Sequence, residues 1–98
     1  MSKNSCIRSV DLRDNKIDDI IIEGLEDVLL KNSSLESIYL DENIISDEGF
    51  EDLYYVLLKN STLKLLSLCD NDINDNGLHL ISSLTRQNTR LTIKFFDT

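Results

Sequence analysis

The sequence predicts an α/β fold in which short strand–helix units stack into a right-handed solenoid, with a parallel sheet on the concave side and helices on the convex side. Two observations predict it. Residues of the same type return every 28 positions, and each unit contains a two-residue period followed by a 3.6-residue period. Parallel strands joined through a helix form right-handed crossovers. Helices are wider than the strand spacing of about 4.8 Å, so the stack curves with its strands inside.

The spacing of 28 residues divides the chain into three units and the start of a fourth. We predict a single domain over residues 1–98, with units at about 7–34, 35–62 and 63–90 and a partial unit at 91–98. The repeated positions are Ile7, Leu35, Leu63 and Leu91; Val10, Ile38 and Leu66; Leu12, Leu40 and Leu68; Asn15, Asn43 and Asn71; Asp19, Asp47 and Asp75; and Asn32, Asn60 and Asn88.

The first half of each unit predicts a strand. Ile38 and Leu40 alternate with Tyr39 and Asp41, so that one face of the strand points to the core and the other to solvent.

The second half of each unit predicts a helix. Its apolar residues are spaced three and four apart, at Ile22, Leu25 and Leu29 in the first unit and at Phe50, Leu53 and Leu57 in the second. Asp47 and Asp75 precede this pattern, where an N-cap side chain accepts hydrogen bonds from free backbone N–H groups. Asn32, Asn60 and Asn88 follow it, where Asn tolerates the left-handed conformation that commonly ends a helix.

The column of Asn15, Asn43 and Asn71 lies where the chain turns after each strand. A side-chain amide carries two donors and an acceptor. We therefore expect these residues to satisfy turn backbone groups in their own unit and in the next.

These columns resemble the leucine-rich repeat pattern, and the long second half resembles the ribonuclease-inhibitor-like subclass. The matching residues are Leu35, Ile38, Leu40, Asn43 and Ile45, then Leu63, Leu66, Leu68, Asn71 and Ile73. The resemblance covers about residues 7 to 98 and implies a horseshoe fragment that binds another protein, often on its concave face. The subclass also occurs in innate immune receptors and in Ran GTPase-activating protein.

Two departures from the repeat concern its ends. Ile21 stands in the first unit where Gly49 and Gly77 stand in the others. At constant spacing Lys94 falls in the inward column of the fourth strand. Either this strand is shifted by one residue, with Ile93 and Phe95 inward, or its edge is frayed.

Charge and cysteine content narrow the classes of partner. The formal net charge is −8, which disfavours nucleic acid and anionic membranes, since both are bound through Lys and Arg. The N-terminal residues contain no apolar signal segment, so we expect Cys6 and Cys69 to be thiols in a reducing compartment and the protein to be cytoplasmic. A protein partner fits this charge, and a basic surface on that partner would complement it.

The outward positions of the strands form the candidate protein-binding face. At constant spacing, Asp11, Tyr39, Ser67 and Phe95 form one column, Arg13, Asp41, Cys69 and Asp97 the next, and Ser9, Ser37, Leu65 and Ile93 flank them. The residues that we predict to contact a partner are Asp11, Arg13, Ser37, Tyr39, Asp41, Leu65, Ser67 and Cys69. Aromatic residues are enriched in interface cores, which favours Tyr39 as the anchor.

Other sites have weaker support. The stretch from Asp72 to Gly77 matches the first half of an EF-hand loop, but Ser83 stands where the loop needs a bidentate Glu, so no metal is predicted. No nucleophile with a base and an orienting group is visible, and no cofactor or catalytic residue is predicted. Acidic residues near the helix starts match the helix dipole, or they bind a basic partner.

The sequence thus predicts a non-enzymatic protein-interaction module. Two rivals stay open: a GTPase regulator of the Ran GTPase-activating type, and a structural subunit or fragment of a larger repeat assembly, in which end-to-end self-association is possible.

Overall fold

The computed structural model describes residues 7–31 and 34–95, which alternate between short strands and helices. The order is β1 (Ser9–Asp11), α1 (Asp19–Lys31), β2 (Ser37–Tyr39), α2 (Asp47–Lys59), β3 (Leu65–Ser67), α3 (Asp75–Gln87) and β4 (Thr92–Lys94). The predicted α/β solenoid is confirmed. Among the described residues no helix is both long and apolar enough to span a membrane.

The strands form one parallel sheet in the order β1-β2-β3-β4. From β1 to β3 the register follows the 28-residue spacing, since Val10 lies opposite Ile38 and Ile38 opposite Leu66. Each outward column of the sheet is therefore a row of residues from equivalent positions of successive units.

The fourth strand breaks this spacing. Ile93, not Lys94, lies opposite Leu66, so β4 is shifted by one residue relative to the repeat. Ile93 is buried and Lys94 is exposed, since burying an unpaired ammonium group would be far more costly than shifting a strand at the edge of the sheet. Of the two alternatives open for this strand, the shift is the one observed.

The shift also corrects the outward columns. Lys94 lies beside Ser67 where constant spacing placed Phe95, and Thr92 lies beside Leu65 where it placed Ile93. Phe95 is partly buried against the core. Asp97 lies outside the described residues.

The core lies between the sheet and the helices. Ile38 and Leu66 from the strands are buried with the predicted helix face, Phe50, Leu53 and Leu57. Burying each such side chain contributes about 1.5–3 kcal/mol before conformational entropy is subtracted. In α1, Ile22 and Leu29 are buried as predicted and Leu25 is partly buried. One face of the sheet packs against the helices, and the other points away from them. We call this other face the open face.

Candidate protein-binding surface

The open face carries an arginine held over a tyrosine. Arg13 comes shortly after β1 in the chain. Its side chain donates from Nε and Nη2 to the two carboxylate oxygens of Asp11, at 2.9 and 2.7 Å. Its guanidinium carbon lies 5.5 Å from the centre of the Tyr39 ring on β2. The same ion pair holds the pKa of Asp11 below its usual range, because the guanidinium hydrogen-bonds the charged carboxylate.

This arrangement orients the groups before any partner arrives. A bidentate contact fixes the plane of the guanidinium, and the adjacent aromatic ring favours the same position through its π face. Tyr39 and Arg13 keep exposed surface, and residues of these two types often dominate binding energies. The predicted residues Asp11, Arg13 and Tyr39 are thus brought together.

Ser67 and Cys69 have little surface left for a partner. Ser67 is only 3% exposed and Cys69 only 9%. Ser67 lies between Tyr39 and Lys94 in its column, and both neighbours have much larger side chains. A small side chain between two large ones is covered, so outward direction alone did not imply exposure.

The remaining predicted residues are partly exposed. Ser37 and Leu65 lie opposite one another on β2 and β3. Asp41 accepts a hydrogen bond from the backbone N–H of Cys69 at 3.2 Å, so part of its role is to join two turns. The sequence analysis did not place Thr92 and Lys94 on this face. The alternation of apolar Leu91, Ile93 and Phe95 with these two polar residues was the signal that could have done so.

A ladder of asparagines holds the turns at the end of this face. Asn43 accepts from the backbone N–H groups of Asn15 and Ile17, both at 2.9 Å, and donates to the carbonyls of Leu12 and Leu40, both at 3.0 Å. The predicted ladder is present, but its direction differs from the expectation, because each Asn bonds its own unit and the preceding one.

Asn71 repeats the pattern one unit later. It accepts from Ile45 N and donates to the carbonyls of Leu40 and Leu68. Asn15 belongs to the first unit, and its side chain is exposed and bonds only the Arg13 carbonyl within the described part of the chain.

The left-handed residues lie in these turns rather than at the helix ends. Asp14, Glu42 and Asp70 have φ of 57°, 60° and 60°, and each precedes an Asn of the ladder. At the helix ends, Asn60 and Asn88 have φ of −78° and −118°, so the predicted left-handed caps are wrong.

Asn60 and Asn88 instead join successive helix ends. Asn60 Nδ2 donates to the Leu29 carbonyl near the end of α1, and Asn88 Nδ2 donates to the Leu57 carbonyl near the end of α2. Each thereby satisfies a carbonyl that the end of the preceding helix leaves unpaired. Asn32 lies outside the described residues.

Asp19 and Asp47, at the helix starts, also join successive units, and the predicted N-cap positions of Asp47 and Asp75 are wrong. The N-cap residues are Ser46 and Asn74. Asp19 accepts from Ser46 N at 3.0 Å, and Asp47 accepts from Asn74 N at 2.7 Å. The carboxylate of one unit therefore accepts from the backbone N–H of the N-cap residue in the next unit.

Gly49 and Gly77 provide the space for these carboxylates. A Cβ atom on Gly49 would collide with the Asp19 carboxylate, and one on Gly77 with that of Asp47 and with Ile73. Glycine is needed at both positions because the carboxylate of the preceding unit approaches the helix backbone closely there. Ile21, at the equivalent position of the first unit, is 52% exposed.

The acidic helix starts form a separate surface. Asp47, Glu48, Glu51 and His79 line an open depression of about 550 Å³ between α2 and α3. No group of three or more His, Cys, Asp or Glu with metal-binding geometry occurs within residues 7–31 and 34–95.

Comparison with known proteins supports the fold. A family model described as "Leucine Rich repeat" matches residues 3–25 and 59–82. No curated protein matches the chain in sequence.

Two solved structures are similar over almost the whole chain. One is leiomodin-1 actin-binding site 2: TM-score 0.83, 23% identity, covering 98% of this chain and 57% of that one. The other is the tropomodulin C-terminal domain of Caenorhabditis elegans: TM-score 0.80, 17% identity, covering 97% and 56%. The chain therefore spans little more than half the length of either structure, and at this identity the likeness establishes the fold alone.

Proposed function

We propose that this leucine-rich repeat protein is a non-enzymatic interaction module that binds another protein on its open face, the predicted concave side. The observation that carries the proposal is the Arg13 guanidinium, fixed by Asp11 and lying 5.5 Å from the centre of the ring of Tyr39, which is partly exposed. An ordered aromatic–arginine pair loses little conformational freedom on binding, and such residues often anchor interfaces.

The surface around this pair fits a partner contact of mixed character. Ser37 and Leu65 extend it along the sheet, and Lys94 adds a cation at its far side. Asp41 adds a carboxylate that is already oriented by the Cys69 backbone. We propose that Ser67 and Cys69 support these neighbours and contribute little contact area themselves.

Site-specific cross-linking tests the proposal. A photoreactive phenylalanine analogue replaces Tyr39 in one variant and Tyr55 in a matched control, because Tyr55 is 58% exposed but lies on α2. We expect a defined adduct from the Tyr39 position and none of the same mass from the Tyr55 position. An adduct formed only at Tyr55 would place the partner on the helices and reject the open face.

Actin is a reasonable first partner to test, because the similar leiomodin-1 structure is that of an actin-binding site. Co-sedimentation with actin filaments, and cross-linking with actin monomers, give a direct answer. A negative result with actin leaves the open face to be tested by the same variants in a cell extract, with mass spectrometry identifying the adduct.

The GTPase-regulating alternative rests on the type of repeat. It predicts that adding the protein accelerates GTP hydrolysis by a small GTPase, and that Arg13→Ala reduces the effect. A turnover assay with and without the protein separates this function from simple binding.

End-to-end self-association is the remaining alternative. β1 is an edge strand whose turn residue, Asn15, could bond a preceding unit as Asn43 and Asn71 do. Ile21 opposes stacking in the standard register, because the carboxylate of a preceding unit would need a glycine there. Sedimentation as a function of concentration tests this state.

A further inference from the structure

Charges are segregated between the two ends of the strands. Short connections place the C-terminal ends of the helices and the first residues of the strands on one side of the sheet, which we call the basic edge. Its cations are Arg8, Lys31, Lys59, Lys64, Arg86 and Arg90, and two acidic residues lie among them: Glu36, and Asp27, which is paired with Lys31. The opposite edge, with the strand ends and helix starts, carries acidic residues such as Asp47, Glu48, Asp72 and Asp75. A chain of net charge −8 therefore presents one locally positive edge.

A polar depression of about 470 Å³ lies on the basic edge. Arg8, Lys64 and Arg90 line it together with Glu36. The Glu36 carboxylate lies 3.9 Å from Arg8 Nη1 and 3.8 Å from Lys64 Nζ, so one anion is shared between two cations while Arg90 adds a third. With three cations and one carboxylate, the part of this lining that the structure describes carries a formal excess of positive charge.

An apolar depression of about 170 Å³ adjoins it. Leu29, Leu30 and Val56 line this second depression with Lys59, and both depressions share Ser61 and Thr62 as a common wall. Leu30 is 62% exposed at its rim, although it lies in the last turn of α1 where solvent favours a polar residue. The two depressions together form a groove with an apolar end and a cationic end.

We propose that this groove binds an acidic segment of a partner protein, in which a large apolar side chain enters the Leu29–Leu30–Val56 end and flanking carboxylates meet Lys64, Arg90 and Arg8. Charge complementarity selects this occupant. Long nucleic acids are a poorer fit, because the acidic opposite edge and the net charge repel an extended polyanion. The groove is separate from Tyr39 and does not depend on the open-face proposal.

The test uses a fluorescein-labelled peptide in which one Leu is flanked on both sides by Asp and Glu. Fluorescence anisotropy measures its binding to the full chain. Two matched peptides accompany it: one with Ser in place of Leu, and one with Asn and Gln in place of the acids. We expect the acidic Leu peptide to bind most tightly and its affinity to fall as salt rises, because exposed charge pairs are screened.

Matched protein variants locate the site. Lys64→Glu should weaken binding of the acidic Leu peptide by about fivefold, because it turns an exposed attraction into a repulsion. Lys16→Glu makes the same change in charge at the opposite edge and should have little effect.

Leu30→Ser should weaken binding of the Leu peptide by about threefold to tenfold and leave the Ser peptide unchanged, since it removes apolar contact only. Ile20→Ser, an exposed apolar residue on the same helix, is its control. Circular dichroism confirms that each variant is folded.

Several outcomes overturn the proposal. It is wrong if the unaltered protein does not bind the acidic Leu peptide, if Lys16→Glu weakens binding as much as Lys64→Glu, or if Leu30→Ser has no effect. It is also wrong if a single-stranded oligonucleotide binds more tightly than the peptide. Because Tyr39→Ala leaves this groove intact, loss of peptide binding in that variant would show that the probe contacts the open face instead.

Discussion

Asn43 makes five side-chain hydrogen bonds, of which three reach into the first unit and two stay within the second. Two backbone donors and three carbonyls of the turn region depend on it. The residue is 8% exposed, so water cannot readily replace these bonds. Its contribution therefore comes from avoiding unpaired buried groups rather than from the bonds alone.

Replacing Asn43 by Ala should lower the free energy of unfolding by about 1–3 kcal/mol, the usual cost of leaving a buried polar group unpaired. Asn71→Ala should also destabilise, because its bonds likewise reach back into the preceding unit. Asn15→Ala is the control and should change little, because Asn15 is exposed. Urea denaturation measures all three, and equal midpoints for Asn43→Ala and Asn15→Ala would contradict the ladder.

Substitution by Ala should change the free energy of unfolding in opposite directions at two glycines, Gly49 and Gly24. Gly49→Ala should destabilise by about 1–3 kcal/mol, as overpacking does, because its Cβ meets the Asp19 carboxylate. Gly24→Ala, in the interior of α1 with nothing within 4 Å of its Cβ, should stabilise by about 0.5–1 kcal/mol. Adding Asp19→Ala to Gly49→Ala should recover part of the loss, so that the two changes are not additive in a double-mutant cycle. Thermal denaturation of the unaltered protein, the three single variants Gly49→Ala, Gly24→Ala and Asp19→Ala, and the double variant decides between this account and one based on helix propensity alone.

At the scale of elements, β4 illustrates how an edge strand settles its register. Its three residues pair with β3 in a register that is shifted by one residue from the 28-residue spacing. We expect Ile93→Ala to destabilise by about 2–4 kcal/mol, within the usual range for truncating a buried Ile. Lys94→Ala should have almost no effect. If Lys94→Ala were the more damaging change, β4 would lie in the unshifted register.

The packing of α1 on α2 brings carboxylates together. Burial, followed by the nearby carboxylates of Asp52 and Glu23, raises the pKa of Glu26. The folded chain therefore holds this proton more tightly than the unfolded chain. The resulting stabilisation is present below the ordinary pKa range of Glu and is lost as the pH rises through the raised pKa in the folded state.

Glu26→Gln should accordingly stabilise the protein near neutral pH by about 0.2–0.5 kcal/mol, the scale of a like-charge pair on a helix surface. The gain should vanish below the ordinary pKa range of Glu, where the side chain is neutral in both states. Asp27→Asn is a control of opposite sign, since Asp27 lies 3.2 Å from Lys31 in an ion pair. Urea titrations at several pH values test both, and a gain from Glu26→Gln that persists in acid would contradict the electrostatic explanation.

At the scale of the whole molecule, the fold separates surfaces that differ in chemistry. The open face has an ordered aromatic–arginine pair, the helix starts are acidic, and the basic edge has a groove. A partner that binds one surface need not contact the others. Variants at each surface can therefore be interpreted independently.

For a partner captured through the open face, Tyr39→Ala should weaken binding by about 2 kcal/mol or more, the scale of an interface hot spot. Stability should change little, because the ring points away from the core. Glu51→Lys reverses a charge on the helix surface and should leave binding almost unchanged. Calorimetric titration compares the two, and the opposite ranking would move the binding site to the acidic surface.

The sequence by itself determined the repeat, the strand and helix of each unit, and which side chains face the core. These follow from periods of 28, 3.6 and 2 residues: the first is the length of the repeated unit, and the other two reflect the backbone geometry of helix and strand. It also identified Asp11, Arg13 and Tyr39 as neighbours on one face, because parallel strands in register bring equivalent positions together. The asparagine ladder was foreseen for the same reason.

Only the tertiary structure decided how the units join. The sequence pattern predicts that the aspartates at the helix starts cap their own helices, yet Asp19 and Asp47 bond the next unit, and Asn60 bonds the preceding helix end. These contacts span 27 to 31 residues, so they depend on how units stack, which no local pattern specifies. The register of β4 and the burial of Ser67 were decided in the same way, because both depend on the size and charge of neighbours supplied by other strands.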